Sequence, residues 1–144
     1  MSVPKSVVKI KKGEVTYTSS VDRCAYTMQE LCRAALRDCG KYICAIFRMN
    51  YYSSHRRKTG KVSKYTQYWV RKREMDLQVG LKPNGFYGGF QELGTSKSPR
   101  EGLLKKSVED NIQKIVEIQS QYLSSLEDEA RALALIDENE MEGE

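Results

Sequence analysis

Apolar residues recur at Val21, Cys24, Met28, Leu31, Ala35, Cys39, Tyr42, Ile46 and Met49, in steps of three and four throughout. That period is one face of an α-helix, and Cys32, Leu36 and Ile43 widen the stripe. It predicts a single helix over about residues 20–50, roughly 45 Å long. Ser19 or Ser20 can cap its start, and Asp22 suits the first turn. Gly40 costs about 1 kcal/mol there relative to alanine and offers a place to bend. The period then shortens to two. Thr66–Arg71 is rich in β-branched and aromatic side chains. Met75, Leu77, Val79 and Leu81 alternate with Asp76 and Gln78. Lys82-Pro83-Asn84-Gly85 reads as a turn. Phe86–Glu92 then returns as a third strand, interrupted by Gly88-Gly89 as a bulge or close backbone approach. The helical stripe has two candidate partners, its own sheet or another chain, and the sheet is the commoner one.

Helical spacing resumes after Gly94-Thr95-Ser96. Ser98 is placed as an N-cap, Pro99 at the first helical position, and Glu101 to close a capping box. Leu104, Val108, Ile112, Ile115, Tyr122 and Leu126 form the apolar stripe, and Ala130, Leu133, Ala134 and Ile136 can extend it. The predicted helix spans 99–136, followed by an acidic flexible tail over 137–144. At the other end, residues 1–18 hold two apolar runs, Val7–Ile10 and Val15–Thr18. They read equally as two short strands or as an arm that orders on a neighbour. The expected fold is one α+β domain of 144 residues. It has a long N-terminal helix, an antiparallel sheet of three to four strands within 65–93, and a long C-terminal helix.

The stretch between sheet and last helix carries a family resemblance. Tyr87-Gly88, then Glu92-Leu93-Gly94-Thr95-Ser96-Lys97, then a polar turn into a long helix, resembles the neck and tail-completion proteins of tailed phages. These form the family named for gene product ten of a Hong Kong lambda-like phage. The resemblance covers roughly Val21 to Leu126. Gly88 stands where the family usually has alanine, Leu93 where it has an aromatic, and its proline-rich approach to the last helix is reduced to Pro99. The resemblance implies a structural virion protein, made in the bacterial cytoplasm. Such a subunit assembles as a ring, six copies being the implied number, and joins the tail tube or terminator to the head-side connector around the DNA channel. It also implies an interface role for Tyr87, Glu92, Gly94 and Thr95. From its own context Glu92 can instead face solvent or cap the turn at Gly94-Thr95.

Charge sharpens the expectation. Residues 127–144 carry eight acids and one base, net −7, whereas the other 126 residues carry 23 bases and 11 acids, net +12. A basic body with an acidic end points to a polyanion or a complementary protein partner. From Arg48 to Arg73 there are nine bases and no carboxylate. Residues 51–64 read as a long loop, whose Arg56, Arg57, Lys58, Lys61 and Lys64 are the candidate contacts to DNA phosphates lining a channel. A solvated loop, or one that docks on an acidic neighbour, fits the same composition. A second class of function uses the same segment. A small non-specific nucleic-acid binder acting alone would stack bases on Tyr51, Tyr52, Tyr65, Tyr68 and Trp69.

Catalysis finds little support. The single histidine, His55, lies in the basic segment, away from any placed nucleophile or acid. No glycine loop ends in Lys-Ser/Thr. Cys24, Cys32, Cys39 and Cys44, at spacings of eight, seven and five, lack the close pairs of a zinc site. Two cysteines eight residues apart on one helix sit about 12 Å apart, beyond disulfide reach. They are expected as buried small hydrophobes. No metal or cofactor is expected. No run approaches the roughly 18 apolar residues of a membrane span, and Met1–Lys5 lack a signal-peptide core.

Overall fold

A computed structural model describes residues 4–5, 7–54, 61–85, 87–97 and 99–141. The chain opens with a hairpin, β1 (Val7–Lys12) and β2 (Val15–Ser19), turned at Gly13 with a φ of 60°. The long helix α1 follows over Val21–Ser54, 34 residues and so about 51 Å. The short helix α2 (Lys61–Lys64) leads into a second hairpin, β3 (Thr66–Arg71) and β4 (Asp76–Leu81). Then come the helices α3 (Tyr87–Leu93), α4 (Leu103–Glu109), α5 (Ile112–Ser124) and α6 (Glu129–Met141). The class is α+β, as expected.

Helix α1 is the spine. Its N-terminal half buries Leu31, Ala34 and Ala35 against Tyr122 of α5 and Ala132 and Ile136 of α6. Its C-terminal half buries Phe47 and Tyr51 with Val62 of α2, and Leu81, Leu103 and Leu104 close over them. Between these clusters a seam of hydrogen bonds runs antiparallel. Asn50 donates to Ser107 Oγ at 3.1 Å and Tyr42 to Asn111 Oδ1 at 3.0 Å. Farther along, Tyr122 donates to Asp38. Gly40 serves as a point of close approach. A Cβ there would lie 2.6 Å from Cγ of Tyr68, so its absence lets α1 and β3 touch.

Four expectations need correction. Phe86–Glu92 is not a third strand: α3 takes Tyr87–Leu93. Gly88, Gln91 and Glu92 turn inward while Phe90 and Leu93 turn outward, which is the three-four phase of a helix rather than alternation. Phe90, one of the aromatics that suggested a strand, sits on the exposed side. Gly88 is needed because a Cβ would come within 2.3 Å of Leu81 Cδ1. The sheet accordingly splits into two separate two-stranded hairpins. The C-terminal helix does not start at Pro99. It starts at Leu103, after Gly102 with a φ of 61°. It breaks again at Asp110-Asn111, where Asn111 Nδ2 returns to the Ser107 carbonyl, and at Ser125–Asp128, where buried Ser125 bonds the Tyr122 carbonyl at 2.5 Å. The second break turns α6 back so that Ala132 and Ile136 reach α1. Finally, 51–64 is not one loop: 51–54 belong to α1 and 61–64 to α2.

Candidate functional site

The DNA-contact residues expected from the sequence divide between described and undescribed positions. Arg56, Arg57 and Lys58, with His55, lie outside the described residues. The Lys61 backbone begins α2. Lys64 is exposed, and its ammonium sits 5.9 Å from the centroid of the Tyr65 ring. The five aromatics that would form a stacking platform do not share a surface. Tyr51 is buried and its hydroxyl donates to Gln91 Oε1 at 3.0 Å. Tyr68 lies against Gly40. Trp69, on the outer face of β3 opposite Gln78, is 65% exposed.

A basic concavity exists that the linear reading missed. Lys41 and Arg48, seven residues apart on α1, meet Lys82 at the end of β4 around a hollow of about 390 Å³. Thr66, Gln67 and Tyr68 of β3 complete its wall, with no acidic side chain among the lining residues. Arg48 Nη2 donates to the Thr66 carbonyl at 3.1 Å, and the Lys82 amide donates to the Tyr65 carbonyl at 2.8 Å. The first bond fixes the Arg48 guanidinium to β3, and the second holds the Lys82 backbone beside the residue that precedes β3. Buried Cys44 lies on the same wall, and desolvation raises its thiol pKa. The signal in the sequence was the seven-residue spacing of Lys41 and Arg48. Lys82 could be joined to them only through the fold.

The second region is the junction after α3. Gly94 closes the helix: its amide donates to the Phe90 carbonyl at 2.8 Å and its φ is 77°. Gly94 thus takes a left-handed backbone at the end of α3. The chain then doubles back, so that the Glu101 amide reaches the Gln91 carbonyl at 2.8 Å. Glu92 accepts from the Leu104 amide at Oε2 and the Lys105 amide at Oε1, both at 2.9 Å. A carboxylate across the first amides of α4 takes the place of a local cap, and the missing charge in that first turn comes from twelve residues upstream. Thr95 is exposed and its Oγ1 accepts from the Lys97 amide at 3.3 Å. Tyr87 contributes the first backbone position of α3.

Beside this junction lies an apolar cavity of about 440 Å³ between Phe47, Leu81, Gly88, Leu93 and Leu104. Leu93 is 74% exposed and Phe90 is 56% exposed. Among the described residues no group of three or more His, Cys, Asp or Glu is arranged to hold a metal ion, and no helix is long and apolar enough to cross a membrane. Comparison with known proteins gives no matching family model, curated protein or solved structure.

Proposed function

We propose that this chain is a structural subunit of a phage or phage-tail-like particle. It is a neck or tail-completion protein that assembles as a ring, six copies being the expected number, between the tail and the head-side connector. Its basic side faces the DNA. The observation that carries this reading is the apolar surface at the stretch bearing the family resemblance. Exposed Leu93 lines the cavity with Phe47, Leu81 and Leu104, and exposed Phe90 stands about one turn away on α3. Large exposed apolar groups rimming an apolar hollow are the composition of a subunit interface. The β1–β2 hairpin adds support. Among the described residues it packs mainly on itself, and an isolated two-stranded hairpin is marginal in water without a neighbour to cover it. A solitary nucleic-acid binder would draw on exposed Trp69, but the positions of Tyr51 and Tyr68 disfavour a stacking platform.

Light scattering on the purified protein tests the assembly. A discrete oligomer several times the 16.5 kDa chain is the expected result. Leu93→Asp with Phe90→Ser should reduce it to monomer without loss of helix content. A monodisperse wild-type monomer at every concentration, alone and with partner tail proteins, would refute the ring.

A further inference from the structure

Three cations converge where the chain path alone would not place them. Lys41 and Arg48 lie two turns apart on one face of α1, about 10.5 Å along its axis. That length equals about three base-pair rises along one DNA strand. Lys82 approaches the same hollow from β4, and Gln67 adds an exposed amide from β3. Arg48 is anchored by its bond to the Thr66 carbonyl. The hollow is open, about 390 Å³, and none of its lining residues is acidic. A concave, cation-lined wall with a fixed guanidinium matches a run of phosphate oxyanions, because arginine and lysine hold phosphate through charge-assisted hydrogen bonds.

We propose that the hollow formed by Lys41, Arg48 and Lys82 seats the phosphates of a nucleic-acid backbone. This deepens the DNA-facing part of the function proposed above and rests on it, and it assigns the contact to the spine helix and β4. Recognition there is of backbone charge and carries no base sequence.

The test is fluorescence anisotropy of a labelled DNA duplex with the full chain, over about 50 to 200 mM salt. The triple variant Lys41→Gln, Arg48→Gln, Lys82→Gln should bind on the order of tenfold or more weakly at low salt. Its log–log salt slope should fall by about 2.7, at about 0.9 per lost phosphate contact. The triple Lys97→Gln, Lys106→Gln, Lys114→Gln removes the same charge elsewhere and should leave the slope within about one. If Arg48→Gln impairs folding, the pair Lys41→Gln with Lys82→Gln should still lower the slope by about 1.8, and Lys41→Arg with Lys82→Arg should restore it. Equal losses from the pocket and control triples would mean diffuse attraction and overturn the proposal. So would wild-type binding by the pocket variant. Inorganic phosphate at fixed ionic strength distinguishes the sources: a pocket-dependent thermal shift with phosphate, and no pocket dependence with duplex, would make this a free-anion site and overturn it as well. Pocket-dependent binding of a peptide of residues 127–144 in place of duplex would move the contact to protein, with the same consequence. Light scattering on the same samples separates this outcome from the ring. A ring with an inert pocket refutes only the pocket, and a monomer with an active pocket refutes only the ring.

Discussion

Replacing Gly94 with valine perturbs the backbone position that joins α3 to the approach to α4. A side chain at a φ of 77° costs about 1–2 kcal/mol for an L-residue, and more for a β-branched one. Steric conflict adds to this. A Cβ would lie 2.9 Å from the Arg100 nitrogen and 3.0 Å from its Cα, which are backbone atoms that cannot swing away. Relief requires moving 99–101, and with it the Glu101–Gln91 bond of 2.8 Å, at a further cost of about 1 kcal/mol. The sum is about 3 kcal/mol. For a chain of this size that corresponds to a fall in Tm of roughly 10 °C. Thermal unfolding followed by circular dichroism measures it directly. Gly94→Asn divides the effect, since asparagine tolerates the left-handed region but still brings a Cβ to Arg100; it should fall between wild type and valine. Gly94 directly follows Leu93 of the apolar cavity, so the valine variant should also assemble less well. Unchanged melting of Gly94→Val, within about 1 °C, would refute the reasoning about this junction.

Two further outcomes follow from buried and capping groups. Cys39 and Cys44 are buried, and desolvation raises both thiols, with Asp38 adding to the shift at Cys39; in native protein at mildly alkaline pH they should resist alkylation, while exposed Cys24 reacts first and half-buried Cys32 follows, as mass spectrometry of timed labelling will read. Glu92→Gln keeps the shape but removes the negative charge from the start of α4, and should cost about 1 kcal/mol, seen as a Tm lower by roughly 3 °C; no change would mean that the charge is irrelevant to the cap.

What was legible in the sequence is what local periodicity encodes. The three-four stripe from Val21 to Met49 marked α1, and its start at Val21 agrees with the serine caps. The alternation of Leu77, Val79 and Leu81 marked β4, where Val70, Tyr68 and Thr66 face them, but Met75, read as the first of that face, lies in the preceding turn with a φ of 52°. What was not legible depends on partners distant in sequence. The residues of α3 have a strand's composition, and only the approach of Gly88 to Leu81 and Val62 makes a helical turn the better solution there. The stripe of α1 also overstated burial, because Cys24, Met28 and Met49 share its spacing yet stand exposed. A helix of about 51 Å outruns the elements available to cover it. Glu92 as a cap for α4 could not be seen locally either, since twelve residues separate it from the Leu104 amide. The local Ser98–Glu101 pattern pointed to a start four residues too early.

The division of charge gains meaning from the same spine. The acidic end enters α6, which packs through Ala132 and Ile136 on the half of α1 around Leu31 to Ala35, with Asp137 and Glu138 exposed. The basic hollow lies on the other half, around Arg48, against β3 and β4. From Ala35 the hollow begins about 9 Å along the helix at Lys41 and ends about 20 Å along it at Arg48. At physiological salt the screening length is about 8 Å, so attraction between the two regions is weakened over this span. A basic body and an acidic end can then coexist in one chain without the end neutralising the site. Had α5 continued straight through Ser125–Asp128, nothing would hold the acidic segment to the Leu31 end of α1. The break at Ser125 and the turn into α6 therefore do two things: they complete the core beside Leu31, and they hold the exposed acids Asp137 and Glu138 on the Leu31 half of α1. In a ring this polarity repeats in every copy. In the ring proposed above, every copy would carry its basic hollow and its acidic helix on opposite halves of α1.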